Sequence, residues 1–277
     1  MAGEAEVRGL RGAARVSIGR IQEAEADFAA GALAGDPSAR VWQGYIAAQQ
    51  GDWAEARRGF IAGASVIDSF PEVWRARFGA AHALAALETG DLAATKSLLA
   101  YSFSQPTSAA DQLTARLVQA RLFELEGEGN RALAVYKAVA RAPLDGISTP
   151  ARLAVVRMEL DRGTLKPDAA AEQLESLRWR WRGDATELAV IRQLGSLYLS
   201  QGLYREALTA LRGAGTRMAD LPGAMDLQMD LSNAFRSLFL EGGADGEETV
   251  RGLARRLVIC DLMELAAEGG EQQGGNG

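Results

Sequence analysis

Six glycines, at positions 19, 51, 90, 127, 163 and 202, stand 32, 39, 37, 36 and 39 residues apart, and each separates two short stretches whose apolar residues recur every three to four positions. That recurrence is the period of one helix face. A glycine between two such stretches supplies the left-handed backbone of a tight helix-to-helix turn. Self-similarity at a spacing of 30 to 40 residues constrains the chain more than any other feature, because a single helical pair of that length cannot bury its apolar face alone. The expectation is an all-α fold with about six stacked helical hairpins and no strand.

The segment LGSLYLSQGLYREALTALRGA, Leu194 to Ala214, carries the pattern most fully. Leu194, Leu197 and Tyr198 make one face before Gly202, and Tyr204, Ala207, Leu208 and Leu211 make another after it. Gly195 and Ala207 are small, so two antiparallel helices can approach closely, while Tyr198, Tyr204 and Leu211 fill the space beside them. Equivalent places are held by Gly44, Gly51, Trp53, Ala56 and Phe60, by Gly19, Ile21, Ala24, Phe28 and Pro37, and by Ala120, Phe123, Gly127, Ala132 and Tyr136. In register, Leu194, Gly195, Tyr198, Tyr204, Ala207, Leu211 and Ala214 resemble the tetratricopeptide repeat, a helix-turn-helix unit of 34 residues. The units at Gly90 and Gly163 depart from that pattern, with His82, Ala83 and Thr95 where Leu, Gly and Ala are expected, and Pro167 opens a helix after a longer turn. The resemblance implies an α-solenoid of tetratricopeptide-like hairpins over residues 1–218, serving as a protein-binding scaffold.

Beyond it, Leu221-Pro222-Gly223 breaks the chain. A helix is expected over about 224–240 and a capping helix over about 247–267, its apolar face made by Val250, Leu253, Leu257, Leu262 and Leu265. Residues 219–267 thus read as C-terminal capping helices and 268–277 as a disordered Gly-rich tail. The stretches FRSLFLEGGAD and RLVICDLMELAAE resemble the ends of repeat proteins from alphaproteobacteria. An apolar last helix also offers a surface for self-association, so a structural or oligomerising module is the rival reading.

A net charge of −6 opposes general affinity for phosphate backbones, leaving nucleic-acid binding only as a local possibility that the residues do not favour. One histidine, His82, and one cysteine, Cys260, give no material for a catalytic triad, a disulfide or a multi-ligand metal site. No glycine-rich phosphate loop follows a strand, so neither an enzyme nor a cofactor is expected. Glu4 and Glu6 interrupt any secretory leader and no window is apolar enough to span a bilayer, so the expected location is cytoplasmic, or periplasmic were the chain a piece of a longer secreted precursor.

Two places invite a functional reading. In ESLRWRWRGD, residues 175–184, the spacing Ala170, Leu174, Leu177, Trp181 is helical and makes Trp181 the end of a buried stripe. A helix scatters the tryptophans and arginines around its circumference, which opposes a stacking platform for nucleic acid. Trp179 is expected under an arginine, with Gly183 ending the helix and Asp184 or Thr186 capping the next. The second place is the concave groove that the resemblance implies, lined by first helices. It takes in Tyr45, Gln49, Arg77, Leu84, Arg121, Arg157, Arg192 and Ser196. Four arginines in successive units form a ladder suited to an acidic peptide or a C-terminal carboxylate. The alternative is that Arg121 pairs with Glu124 and Arg157 with Asp161 as ordinary neighbours along a helix. The lysines and asparagines of the family's carboxylate clamp are missing from these positions. Replacing Gly195 with leucine is expected to overpack the helix crossing and cost about 1 to 3 kcal/mol, measured as a lowered urea midpoint.

Overall fold

The structure, a computed structural model, describes residues 2–182, 184–215 and 224–241. All regular elements among them are helical. They are α1 (Ala2–Ser17), α2 (Ile21–Phe28), α3 (Pro37–Gln50), α4 (Trp53–Ala62), α5 (Glu72–Glu88), α6 (Leu92–Ser104), α7 (Ala109–Leu125), α8 (Gly129–Val139), α9 (Asp145–Asp161), α10 (Pro167–Arg180), α11 (Ala185–Ser200), α12 (Tyr204–Gly215) and α13 (Ala224–Glu241), with short 3-10 turns at Gly31–Leu33 and Ala64–Ser69. The expected helix over 247–267, the Gly-rich tail and Cys260 lie outside the described residues. The chain forms two compact units, one ending at Arg152 and the other beginning at Leu153, a division within α9 that the repeat spacing did not announce.

Adjacent helices pack in pairs, and the turns between them show why. Gly19, Gly51, Gly90, Gly127, Gly163 and Gly202 all have φ between +68° and +82°, a region closed to ordinary side chains. In two of these turns the next residue is an aspartate that caps the helix it opens: Asp52 accepts from the Glu55 amide at 3.0 Å and Asp91 from the Ala94 amide at 3.0 Å. A left-handed glycine followed by a capping carboxylate thus ends one helix and starts its antiparallel neighbour within three residues. Pro167 stands at the first position of α10, as its fixed φ favours.

Packing within each pair follows one rule. Five residues after the turn glycine stands a small side chain (Ala24, Ala56, Thr95, Ala132, Ala207), and nine after it a large one (Phe28, Phe60, Leu99, Tyr136, Leu211). After Gly163 the longer turn moves these to Ala170 and Leu174. Every one of these twelve residues is at most 3% exposed. Seven residues before the turn, Gly12, Gly44, Ala83, Ala120, Val156 and Gly195 are all buried on the facing helix. A Cβ on Gly12 would lie 2.7 Å from the Phe28 ring, and one on Gly195 2.6 Å from Leu211 Cδ2. Thr95 fits its alanine-like slot because its hydroxyl donates to the Asp91 carbonyl at 2.8 Å.

In the first unit the core is aromatic at one end. Trp42, 5% exposed, stacks on Phe28 at 6.0 Å and meets Trp74 and Phe78 edge-on at 4.5 and 5.0 Å. Towards α1 the seal is ionic: Asp27, buried on α2, accepts from Arg11 at 3.0 Å and from Arg15 at 2.6 Å, and the Arg11 guanidinium holds its carboxyl below the usual range. A second cluster joins Leu87 and Leu99 to Ala115, Val118 and Leu122. The second unit buries Val156, Leu174, Val190 and Leu194 together, and Leu188, Leu208, Leu211 and Leu227 around α13.

The tightest crossing is backbone on backbone. A Cβ on Gly59 would fall 2.6 Å from Gly44 Cα and 2.7 Å from the Arg40 carbonyl oxygen, atoms that cannot rotate away. Gly59→Ala is therefore expected to destabilise by about 1 to 3 kcal/mol despite alanine's better helix propensity. Gly9→Ala, which meets nothing within 4 Å, should stabilise by about 0.5 to 1 kcal/mol. Thermal melts of the two variants moving in the same direction would refute the crossing geometry.

Candidate functional site

Successive first helices of the first unit, α3, α5 and α7, pack side by side, so side chains one pair apart in sequence become neighbours. Tyr45 of α3 is half-buried, its ring edge-on to Trp74 at 5.7 Å and close to Phe78 at 5.6 Å on α5. Its hydroxyl has no hydrogen-bond partner among the described residues, and burial, with Asp111 adding to it and Arg77 opposing, raises its pKa. Arg77 lies over the Trp74 ring at 4.9 Å and donates from Nε to Asp111 Oδ1 of α7 at 2.8 Å. Asp111 also accepts from Thr107 at 3.0 Å and Ser108 at 2.8 Å. Its pKa falls because these hydrogen bonds, led by Arg77, outweigh the opposing effect of burial. Further along the same helices Arg121 of α7 pairs with Glu88 of α5. Leu84 lies between these two bridges in sequence, half-buried against the cluster of Leu87 and Val118, and Gln49 is exposed on α3.

The same device appears in the second unit, where Arg192 of α11 donates to Asp226 at 2.9 Å and Asp230 at 2.6 Å on α13. These carboxylates raise the guanidinium pKa, Asp230 most of all. Arg157 lies half-buried on α9 and Ser196 exposed on α11. The structure thus brings Tyr45, Arg77, Leu84 and Arg121 onto neighbouring helices of the first unit and places Arg157, Arg192 and Ser196 in the second. Arg121 takes Glu88 of the preceding pair and not Glu124 on its own helix.

The residues that the sequence reading missed are the partners: Trp74, Asp111, Glu88, Asp226 and Asp230. Arg77 to Asp111 and Arg192 to Asp226 are both 34 residues apart, and Arg121 to Glu88 is 33. Adding 34 residues to Arg77 and to Arg192 reaches Asp111 and Asp226, and Glu88 lies one residue short of the same step back from Arg121. The offset recurs away from the first helices. Arg57 binds Asp91 at 2.7 Å, and the Tyr101 hydroxyl donates to Asp68 at 2.6 Å. Gln201 donates to Asp168 at 3.0 Å. Exposed pairs of this kind contribute about 0 to 1 kcal/mol each, so their role is to fix register more than to supply stability.

The tryptophan stretch folds differently from its helical spacing. α10 ends at Arg180, and Trp181 turns extended with φ −134° and ψ 132°. Its indole Nε1 donates to Asp184 at 2.7 Å, while Asp184 caps α11 through the Thr186 and Glu187 amides. Ala170, Leu174 and Leu177 form the buried stripe without Trp181, because the capping carboxylate offers the indole a partner that the helix could not. Trp179 is 65% exposed, with the guanidinium of Arg182 4.6 Å and that of Arg178 5.3 Å from its ring.

No protein-family model matches the chain, and no curated protein matches it. Among the described residues no group of three or more acidic, histidine or cysteine side chains is arranged to hold a metal ion, and no helix is long and apolar enough to cross a membrane.

His82 stacks on Phe60 at 5.0 Å with 21° between the planes. Burial, helped by Arg57 and opposed by Asp91, lowers its pKa to about 4. The unfolded chain takes up that proton near pH 6.5, so protonation favours unfolding. Stability from this group is fully present above about pH 6.5 and is lost as pH falls towards 4. Wild type should lose about 2 kcal/mol from His82 between pH 7.5 and 5, and His82→Gln should show a correspondingly flatter profile in urea titrations. Parallel profiles for the two proteins would contradict the buried neutral imidazole.

Proposed function

We propose that the chain is a tetratricopeptide-like stack of six helical hairpins, an α-solenoid, that works as a protein-binding scaffold and receives a partner peptide or helix on the face lined by successive first helices. The observation that carries this reading is the set of side-chain bridges between α3, α5 and α7, spaced by one hairpin: Tyr45 to Trp74, Arg77 to Asp111, Arg121 to Glu88. They mark a face built by consecutive pairs, on which Tyr45, Trp74 and Leu84 are half-buried and Leu125 is 59% exposed.

Recognition on this face combines apolar anchoring with a few oriented polar groups. Tyr45 and Gln49 offer a hydroxyl and an amide to a peptide backbone. The arginines act by exchange, since each already holds a carboxylate of this chain. An acidic ligand therefore gains the difference between its carboxylate and Asp111 or Glu88, and apolar contacts at Leu84, Tyr45 and Leu125 carry most of the affinity. The partner is a protein segment; chemistry on a small substrate has no support in the side chains present.

Selection of a displayed library of random peptides on the full chain tests the reading. Peptides enriched on wild type should bind Leu84→Glu about tenfold more weakly, and Arg121→Glu, which sets two carboxylates together, should weaken acidic peptides most. Enriched peptides that bind all three proteins equally would remove this face from consideration.

A further inference from the structure

We infer that the α7/α8 pair carries a second docking surface, separate from the face above, that takes an amphipathic helix with acidic flanks from a partner protein. A hollow of about 520 Å³ lies between the first half of α7 and the second half of α8, lined by Ala109, Leu113, Arg116, Ala134, Val135 and Ala138. Its size falls within the range of pockets that enclose several apolar groups. Three of the lining residues, Ala109, Ala134 and Ala138, are exposed alanines, which leave room for large side chains of an incoming helix.

Charge selects the occupant. Asp111, which falls among the α7 lining residues in sequence, is held by Arg77, and Arg121 and Arg131 are held by Glu88 and Glu128. That leaves Arg116 and Arg141 as the cations to weigh beside the hollow, on a chain whose net charge is −6. Arg116, on the rim, lies over the Phe103 ring at 4.6 Å and donates to Gln119 at 2.7 Å, which holds its guanidinium in place. Arg141 follows two residues after Val139, which also lines the hollow, and is exposed. Neither arginine is paired with a carboxylate among the described residues, in contrast to Arg77, Arg121 and Arg192. An apolar hollow with one preorganised arginine in its lining and a second, exposed arginine two residues beyond it in sequence complements a helix with large apolar residues three or four apart and Asp or Glu beside them.

A displayed library of random 16-residue peptides, selected on the full chain and counter-selected on Ala138→Arg, reads this surface directly. Ala138 is exposed, so that variant should keep the wild-type urea midpoint. Enriched peptides should share apolar residues three or four apart with flanking acids. Their affinity should fall about tenfold in Arg116→Glu/Arg141→Glu and stay unchanged in Leu84→Glu. Several results would overturn the proposal: no enrichment surviving the counter-selection, enriched peptides without acids, or indifference to the charge reversal. Loss of binding in Leu84→Glu would assign the peptides to the first-helix face. A concentration-dependent dimer in sedimentation that Ala138→Arg abolishes would make a second copy of this chain the occupant.

Discussion

A left-handed glycine between two short helices is the constraint from which the rest of the structure follows. It reverses the chain within a few residues, so the two helices must cross at close range, and the crossing then dictates what stands opposite what. Seven residues before the turn there is room for glycine, alanine or valine; nine after it a phenylalanine, tyrosine or leucine fills the gap. At Gly44 and Gly59 the approach is so close that neither helix has a side chain at the contact. Such a pair still leaves one apolar face open. The remaining burial comes from the next pair along, as the aromatic contacts from Phe28 through Trp42 to Trp74 and Phe78 show.

Stacking pairs in this way turns distance along the chain into proximity in space. The arginines at 77, 121 and 192 reach carboxylates one pair away, and these bridges occupy positions where a groove-lining cation would also stand. Their electrostatic role is therefore mutual: the carboxylates keep the guanidiniums oriented and largely neutralised. Arg116 and Arg141 have no such counterpart. The contrast between the two sets of arginines separates cations that hold the molecule together from cations that face outward.

The turns and the within-pair packing were legible in the sequence because both depend on residues fewer than twenty apart. Gly19 through Gly202, Phe28, Phe60, Tyr136 and Leu211 all stand where periodicity put them. The bridges were harder to read. Arg121 has an acid three residues on, and only the fold shows that Glu88 is the better placed. Trp181 was misread because helical spacing cannot see a competing hydrogen bond from Asp184 beyond the end of the helix. The division of the chain within α9 leaves no mark in the spacing, since Gly163 continues the series. Tyr45, Arg77, Leu84 and Arg121 stand on neighbouring helices of the first unit, while Arg157, Arg192 and Ser196 stand in the second.

The bridges one pair apart have a mechanical meaning. Each is a bond between neighbouring hairpins, exposed enough for ions to reach, and each is individually weak. Arg77–Asp111 and Arg121–Glu88 both tie α5 to α7, so a rise in ionic strength weakens the two ties together. The hold of one hairpin of the first unit on the next is therefore open to the surrounding electrolyte, while the apolar crossings inside each hairpin are shielded from it.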